Sequence, residues 1–387
     1  MSDSLFLSQA LAQAWLAMGL TDPNPRVGCV LVSARGEVLG QGHTQEAGGP
    51  HAEVMAMRDA QARGLSLQGA TAYVTLEPCS HHGRTPPCAD ALLAAGVGRV
   101  VVALLDPNPQ VAGQGVARLR AAGIAVEVLA PDHPQALEAR EVNLGFLSRM
   151  VRQRPWVRLK VAASLDGRTA LDNGQSQWIT GPAARSDGHA WRARATAVLT
   201  GIGTVLDDNP RLDVREVAAP RQPWRVVLDS CWRTPPQARL LESPGHVLIY
   251  GLKPPQGDEA ALQRQQALGL SGAELMEAPA EAPADRAPQQ ASAQVDLAFV
   301  LSDLAARGVN ELHVEAGARL NAALIQGDWV DEVLLYLAPK LIGPGRGLAA
   351  MSPLSQLSDA WQLSFREFTP VGDDLRVIAR PPGRDQF

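Results

Sequence analysis

Three residues of the types that bind zinc stand close together in the first quarter of the chain. They are His51, in the segment GGPHAEVMA, and Cys79 and Cys88, in the segment LEPCSHHGRTPPC. One imidazole and two thiolates fill three positions of a tetrahedral site, and an open fourth position is typical of catalytic zinc. Zinc lowers the pKa of a water molecule bound at that position to near neutral, and a nearby carboxylate can move its proton. Glu53 is not needed as a ligand, so the pattern predicts a zinc site with Glu53 as its catalytic acid–base.

The flanking residues predict that two helices begin at this site. Gly-Gly-Pro interrupts the chain before His51, and an apolar segment typical of a helix follows. Cys88 comes after two prolines and opens a second helical segment, which ends at Gly96. The dipole at a helix N-terminus acidifies a thiol and so favours the thiolate that binds metal. His-x-Glu followed by Pro-Cys is also the pattern of zinc-dependent nucleobase deaminases.

The spacing between the cysteines leaves one alternative open. Nucleobase deaminases have Pro-Cys-x-x-Cys, whereas eight residues, SHHGRTPP, separate Cys79 from Cys88 here. This insert carries His81, His82 and Arg84, which suit contact with a polar substrate. Either histidine could instead complete four protein ligands, and the chain would then be a binding protein with a structural zinc.

Composition indicates a two-domain intracellular enzyme. A chain of 387 residues is long for one domain, and its 46% hydrophobic content is ample for two cores. No run approaches the roughly 20 apolar residues of a membrane span, and MSDSLFLSQALAQAW lacks the basic and cleavage regions of a signal peptide. Four cysteines, two of them assigned to zinc, favour a reducing compartment over a disulfide framework. We therefore expect a cytoplasmic protein without a membrane partner.

Charge argues against the main alternative function, a deaminase of RNA or DNA bases with an accessory domain. Such a protein needs a basic face with interleaved aromatic residues. The net charge is −5 and only 4% of residues are aromatic. We therefore expect no nucleic-acid partner.

Three segments of the first half resemble the deaminase half of the bifunctional riboflavin-biosynthesis deaminase–reductases. They are HAEVMA, LEPCSHHGRTPPC and DPNPQVAGQG. The resemblance implies a cytidine-deaminase-like three-layer domain, which agrees with strands and helices alternating from residue 70 to residue 129. It also implies substrate contact at Asn24, held between two prolines, and at His43. We place this domain at 1–147 and a connector at 148–155, which ends where Pro155 requires an extended chain.

The second half, residues 156–381, is predicted to be strand-rich with few helices, and two glycine turns are its main signal. Gly201 and Gly203 precede Thr204, and Glu315 to Gly317 lead from a strand into a helix. A helix N-terminus after a glycine turn suits a pyrophosphate, although the full Rossmann fingerprint is absent. An alanine- and proline-rich stretch, 278–293, is predicted to be a solvated loop inside this domain.

This half is similar to the reductase domain of the same family. The similarity covers KVAASLDGRTA, SQWITG, AVLTGIGTVLDDNPRL and VEAG. It implies a dihydrofolate-reductase-like α/β fold and NADPH. The resemblance implies two sets of contacts. The residues that contact the cofactor would be Ala162, Trp178, Thr204, Asp208, Ser230 and Gly317. Those that contact the substrate would be Ser176, Arg192, Leu212, Arg215 and Glu315. Two departures affect these assignments, since Ala316 replaces a family glycine and Asp207-Asp208-Asn209-Pro210 replaces Ala-Asp-Asp-Pro.

The residue types are compatible with these roles. Arginine binds phosphate through a planar fork, so Arg192 and Arg215 suit a ribose 5-phosphate. Lys160 lies in an apolar strand, where its ammonium needs an ion pair with Asp166 or Glu315, or contact with the substrate.

The resemblance implies two consecutive reactions. The first is zinc-dependent hydrolytic deamination of 2,5-diamino-6-(5-phosphoribosylamino)pyrimidin-4-one, and the second is NADPH-dependent reduction of the ribosyl side chain to ribityl. The expected partners are this phosphorylated pyrimidine and further copies of the chain, in a homo-oligomer of undetermined size.

Overall fold

The chain forms two compact units, Met1–Gln153 and Arg154–Gln386. The computed structural model describes residues 3–80, 87–108, 112–281 and 293–387. The inserted residues His81, His82 and Arg84 therefore lie outside the described residues, as does most of the stretch 278–293.

The first unit is a five-stranded sheet between helices. Its sheet order is β2-β1-β3-β4-β5, with β1 antiparallel to both of its neighbours and β3, β4 and β5 parallel. Its elements are α1 (Asp3–Leu16), β1 (Gly28–Val32), β2 (Val38–His43), α2 (Ala52–Ala62), β3 (Thr71–Val74), α3 (Cys88–Ala94), β4 (Arg99–Val102), α4 (Gln114–Ala121), β5 (Ala125–Val128), α5 (Pro134–Val142) and α6 (Leu144–Arg152).

Alternation along β1 shows how the layers are filled. Successive side chains of a strand point to opposite faces of the sheet. Cys29 and Leu31 pack in a core with α2, α3 and α4. Val30 and Val32 pack in a second core with α1 and Ala139 of α5. The sheet is therefore buried on both faces, as in a three-layer α/β/α unit.

Two glycines of β2 let helix α2 lie directly against the sheet. A Cβ at Gly40 would lie 2.2 Å from the carbonyl oxygen of Ala56, and one at Gly42 would lie 2.5 Å from the Cβ of Met55. Any side chain at these positions would push the helix away. This close packing fixes the N-terminus of α2, where His51 and Glu53 lie.

The second unit is built on a nine-stranded sheet of order β11-β10-β9-β8-β12-β6-β13-β16-β15. Seven strands are parallel, and the last two form an antiparallel hairpin at one edge. The strands are β6 (Trp156–Ser164), β8 (Ala197–Gly201), β9 (Trp224–Leu228), β10 (Val247–Leu252), β11 (Glu274–Ala278), β12 (Glu311–Val314), β13 (Glu332–Ala338), β15 (Ser364–Val371) and β16 (Asp374–Arg380), and a separate small sheet pairs β7 (Arg168–Leu171) with β14 (Gly345–Gly347).

The expectation of few helices in this unit was wrong. Six α-helices are present among its described residues, namely α7 (Pro182–Arg194), α8 (Ile202–Asp208), α9 (Arg239–Glu242), α10 (Glu259–Leu270), α11 (Leu297–Ala306) and α12 (Ala318–Gln326). Asp258 and Asp296 cap α10 and α11, because their carboxylates accept backbone N–H groups of the first turn. Parallel strands require such crossovers, which supply the helices.

The predicted connector 148–155 is also partly helical. Helix α6 continues to Arg152 because its apolar residues, including Phe146 and Leu147, pack in the core of the first unit. Asn143 separates α5 from α6, and its side chain bonds to the backbone of Arg26.

The structure can also be compared with the expectations about disulfides and membrane spans. All four cysteines are free thiols, so no disulfide is present. Among the described residues, no helix has both the length and the apolarity needed to cross a membrane.

Candidate active sites

The structure brings the three predicted zinc ligands together. Nδ1 of His51 lies 3.6 Å from Sγ of Cys79 and 3.3 Å from Sγ of Cys88, and all three atoms lie within 4.8 Å of one another. Zinc–ligand distances of 2.0–2.3 Å in a tetrahedron place a nitrogen and a sulfur ligand about 3.5 Å apart. The donor set and its spacing therefore fit zinc.

The surroundings of Cys79 favour the thiolate form that a metal needs. The Cys88 thiol, the His51 ring and the backbone N–H of Cys88 all hydrogen-bond to the Cys79 sulfur, and they lower the pKa of Cys79 below its usual range despite burial. The pKa of Cys88 is raised, first because its thiol donates to Cys79 and then because it is buried.

Glu53 lies in the first turn of α2, beside the ligands, and its side chain is only 3% exposed. Burial, followed by the negative charge on Cys79, raises the pKa of Glu53 to about 6. A carboxyl group that titrates near neutral pH can both accept and return a proton, as a general acid–base must.

A cleft of about 460 Å³ opens onto this cluster. That volume lies within the roughly 300–1,000 Å³ of typical small-molecule sites. Asn24 lines the cleft together with His51, Glu53 and Cys79, so the structure places this predicted substrate contact beside the zinc ligands.

Sequence reasoning predicted that the strand-end segment 106–115 borders the pocket, but it missed Glu77, which holds part of this segment in place. Glu77 is buried, and its carboxylate accepts the backbone N–H groups of Asp106 (3.3 Å), Gly113 (2.9 Å) and Val116 (3.1 Å). Asp106 and Asn108 then form part of the cleft wall. The only sequence signal was a carboxylate in LEPC, directly before the Pro-Cys pair.

His43, whose contact with the substrate stays a prediction, is not among the residues that line the cleft. It ends β2 and lies in a separate shallow hollow, with Nδ1 3.4 Å from Oε1 of Gln13. The next residue, Thr44, lines the cleft instead. Successive side chains of an extended chain point to opposite sides, so one position separates the two environments.

In the second unit, the predicted cofactor residues gather at the carboxyl ends of four adjacent strands. Gly201 ends β8, Ser230 follows β9, Gly317 follows β12, and Ala162 lies near the end of β6. Ligands of open parallel sheets bind at this edge. Thr204 is close to the second glycine turn, because a Cβ at Gly317 would lie 3.9 Å from its Oγ1. Neither α8 nor α12 has a side-chain cap, so their first N–H groups suit phosphate oxygens.

Glu315 is the centre of a polar cluster at this edge. Arg192 binds both of its oxygens, at 2.7 and 3.0 Å, and Lys160 Nζ lies at 3.8 Å. Burial opposes ionisation of Glu315, but Arg192 and Lys160 outweigh it and hold its pKa well below the usual range. Lys160 therefore has Glu315 as its ionic partner, whereas Asp166 accepts hydrogen bonds from Ser164 and from the backbone of Ile342 and Gly343.

Arg215 lies next to this cluster. Its guanidinium pairs with Asp213, its backbone N–H donates to Nδ1 of His189, and its side chain is half exposed. Arg192 also donates to the carbonyl of Asp213 at 2.5 Å. Arg192 and Arg215, the two arginines predicted to bind phosphate, therefore both contact Asp213.

The remaining predicted residues lie in loops or at a helix end. Trp178 is 65% exposed, and the guanidinium of Arg185 stacks on it at 4.5 Å, so it is not a core tryptophan. Asp208 is the last residue of α8 and is exposed. Ser176 precedes α7, and Leu212 is buried after α8 with a left-handed backbone.

A buried layer of charges, which sequence reasoning did not predict, lies below this cluster. Arg158 is 1% exposed and donates to Glu332 at 2.5 Å and to Glu311 at 2.8 Å. Arg380 and Arg194 bind the same two carboxylates from other elements. The sequence of β6 gives no sign of these ion pairs, because the partners of Arg158 lie more than 100 positions away.

Both halves of the chain match known protein families. Residues 1–104 match the cytidine and deoxycytidylate deaminase zinc-binding region, and residues 155–377 match the RibD C-terminal domain. Riboflavin biosynthesis protein RibD of Escherichia coli (strain K12) is 44% identical over 389 residues, covering 97% of this chain and 98% of that protein. The Haemophilus influenzae protein of the same name is 42% identical over 403 residues, covering 98% of each.

Two solved structures are similar to this chain over both of its units. Acinetobacter baumannii RibD has a TM-score of 0.85 at 39% identity, and each chain is covered to 98%. A Thermotoga maritima diaminohydroxyphosphoribosylaminopyrimidine deaminase/5-amino-6-(5-phosphoribosylamino)uracil reductase has a TM-score of 0.81 at 31% identity, again with 98% of each chain covered.

These similarities confirm the predicted fold class, a cytidine-deaminase-like unit followed by a dihydrofolate-reductase-like unit. They also confirm an enzyme that combines a zinc-dependent deaminase with an NADPH-dependent reductase. The chain belongs to the family of bifunctional riboflavin-biosynthesis deaminase–reductases.

Proposed function

We propose that this enzyme first deaminates 2,5-diamino-6-(5-phosphoribosylamino)pyrimidin-4-one and then reduces the ribosyl chain of the product with NADPH. We assign the first reaction to residues 1–147 and the second to residues 156–381. The observation that carries this proposal is the cleft in which His51, Cys79 and Glu53 meet, in a chain that also contains a complete reductase unit. The Thermotoga relative, similar over both units, is named for both activities.

In the deaminase cleft, His51, Cys79 and Cys88 would hold zinc, which when bound would make water nucleophilic near neutral pH. Glu53 accepts a proton from the attacking water as the new carbon–oxygen bond forms. It then delivers that proton to the amino nitrogen, and the carbon–nitrogen bond breaks to release ammonia. Asn24 lines this cleft, and its amide would hydrogen-bond the pyrimidine and orient it for this attack.

The deaminase assignment is tested by Glu53→Gln. Gln keeps the size of the side chain but cannot exchange the proton, so we expect deamination to fall ~100- to 10,000-fold with zinc per chain unchanged. Cys88→Ser should instead lose zinc. Deamination by Glu53→Gln near the wild-type rate would contradict the role of this carboxylate.

In the reductase unit, NADPH supplies a hydride when bound, and the uncapped starts of α8 and α12 suit its phosphates. The ribosylamine ring would open to a protonated imine, which keeps its N–H, as the ring oxygen gains a proton. Hydride addition at the sugar carbon bonded to nitrogen would then give the neutral amine. Lys160 and Glu315 lie where they can stabilise the changing charges, and Arg192 and Arg215 anchor the phosphate.

The second step is tested with deuterated NADPH and purified protein. Deuterium should appear only at the sugar carbon bonded to nitrogen, and Arg215→Ala should raise the reductase KM without changing deamination. Label in the pyrimidine ring would exclude this hydride transfer.

We also propose that the enzyme works in the cytoplasm as a homo-oligomer, without nucleic-acid or membrane partners. Four free thiols support a reducing compartment. The edge strand β15 exposes Phe365 (66%) and Phe368 (57%), and an exposed apolar edge of this kind is a candidate for pairing with another chain. Light scattering should give a mass above one chain, reduced in Phe365→Ser/Phe368→Ser. A monomeric wild type at micromolar concentration would exclude the oligomer.

A further inference from the structure

Strands β8 and β9, with helix α8 between them, form the βαβ arrangement that binds dinucleotides in parallel sheets. β8 ends at Gly201, α8 follows at once, and β9 lies parallel to β8. In such units the first turn binds the pyrophosphate, and the end of the second strand meets the adenosine ribose. A carboxylate there binds the ribose 2′-hydroxyl of NADH, whereas an arginine accommodates the 2′-phosphate of NADPH. The residues that follow β9 therefore bear on the choice between the two cofactors.

The acidic residue at this position, Asp229, is not exposed to a ribose. It directly follows β9 and is 0% exposed. Its Oδ2 accepts the backbone N–H of Thr234 at 2.6 Å and the Thr234 hydroxyl at 2.8 Å. The carboxylate is thus turned into its own loop. Between residues 229 and 234, all of which the structure describes, no exposed carboxylate remains to favour a 2′-hydroxyl.

Two cations occupy exposed positions at the ends of β9 and β10. Arg233 lies in the loop after β9, Lys253 directly follows β10, and both are exposed. The buried ring of Trp232 connects the two positions, because its Nε1 donates to the carbonyl oxygen of Leu252 at 2.8 Å. Within the part of the chain that the structure describes, neither cation forms an ion pair or a side-chain hydrogen bond. Both charges are therefore available to an anion at the carboxyl edge of the sheet.

The loop after β9 is fixed to β10, so it holds its cation in place. The backbone N–H of Leu252 donates to the carbonyl oxygen of Ser230 at 3.4 Å. The ring of Trp232 lies directly on Gly251, where an added Cβ would be 2.4 Å from the indole. Arg264 of α10 donates from Nε to the carbonyl oxygen of Cys231 at 3.3 Å and adds a third positive charge. A phosphate group at this loop would therefore meet a positive and ordered surface.

We propose that Arg233 and Lys253 bind the 2′-phosphate of NADPH and so select it over NADH, an inference that rests on the cofactor edge assigned to the reductase in the proposed function. A guanidinium presents a planar fork of N–H donors that matches two phosphate oxygens, and an ammonium supplies a compact charge. NADH carries a neutral hydroxyl instead and offers these cations no charged partner. The 2′-phosphate belongs to the adenosine half of the cofactor, so the two residues act on affinity and not on hydride transfer.

This role predicts losses of binding that depend on the 2′-phosphate. Charge-assisted hydrogen bonds are worth ~10- to 100-fold in binding. Arg233→Met should weaken NADPH binding by about that factor and leave NADH binding unchanged. Lys253→Met should have a smaller effect in the same direction, because lysine lacks the planar fork. The double variant should bind the two cofactors with nearly equal affinity.

Titration calorimetry on the full-length protein measures these affinities without turnover. The ligands are NADPH and NADH, and then adenosine 2′,5′-bisphosphate and adenosine 5′-monophosphate, which differ in the same phosphate but lack the nicotinamide. Thermal unfolding and the deamination rate confirm that each variant is folded. Arg366→Met is the matched control, because Arg366 is exposed on β15 at the opposite edge of the sheet.

The decisive quantity is the ratio of the dissociation constants for NADH and NADPH. If Arg233→Met and Lys253→Met weaken both cofactors equally, these residues only support the loop, and the proposal is wrong. An unchanged ratio with unchanged affinities places the 2′-phosphate elsewhere and also overturns it. The proposed function is judged separately, by whether wild type reduces the deaminated substrate with NADPH.

Discussion

Replacement of Arg158 by methionine should destabilise the second unit strongly. The substitution removes two charge-assisted hydrogen bonds, one to Glu332 at 2.5 Å and one to Glu311 at 2.8 Å. It also removes the stacking of the guanidinium on Trp191 at 4.7 Å. Because Arg158 is 1% exposed, water cannot replace these contacts.

The expected loss of unfolding free energy depends on which ion pairs remain in the buried layer of charges. Two charge-assisted hydrogen bonds are worth ~3–6 kcal/mol. Glu332 keeps Arg380, and Glu311 keeps Arg194, so neither carboxylate is left without a cation. Methionine also avoids the cost of burying a guanidinium. We therefore expect a loss near the lower limit, about 3 kcal/mol, or a fall in Tm of about 6–12 °C for a unit of this size.

Tryptophan fluorescence during urea unfolding measures this loss, since every tryptophan except Trp15 lies in the second unit. The comparison variant is Arg194→Met. Its guanidinium makes a longer, 3.3 Å contact with Glu311, and we expect a loss of about 1 kcal/mol. If Arg158→Met unfolds within about 0.5 kcal/mol of wild type, the layer contributes little net stability and the reasoning fails.

Three further predictions concern separability, packing and pH. A chain ending at Pro155 should deaminate without NADPH, and zinc chelation should spare reduction of deaminated substrate; if chelation stops both reactions equally, this division of labour is wrong. Gly40→Ala places a Cβ 2.2 Å from the carbonyl of Ala56, so zinc content and deamination should fall while reduction persists, and an unchanged zinc content would contradict this packing. Burial lowers the pKa of His313 from 6.5 to about 4. The unfolded chain therefore takes up a proton that the folded chain does not as pH falls below 6.5. Stability should decline toward pH 4.5 by up to about 1.4 kcal/mol per pH unit, and a His313→Leu variant with the same slope as wild type would refute this.

The local patterns of the sequence predicted the zinc cluster and the glycine turns well. His51, Cys79 and Cys88 lie at chain breaks and helix starts, so short-range signals place them correctly. The glycine turns at Gly201 and Gly317 follow strands that are neighbours in the sheet. In both cases the chemistry depends on a few residues whose environment is set by nearby sequence.

Contacts over long sequence distances were not predictable. The ion pair of Arg192 with Glu315, 123 positions away, has no signal in the local sequence. His43 lies outside the cleft, whereas the next residue, Thr44, lines it, and contact of His43 with the substrate stays a prediction.

The three backbone hydrogen bonds accepted by Glu77 have a consequence for the cleft wall. One side chain ties Asp106, Gly113 and Val116 to the end of the strand that leads to Cys79. Displacing Asp106 from the wall would break a buried charge-assisted bond, which is worth ~1.5–3 kcal/mol. The position of this part of the wall therefore depends on a carboxylate that lies two residues before a zinc ligand.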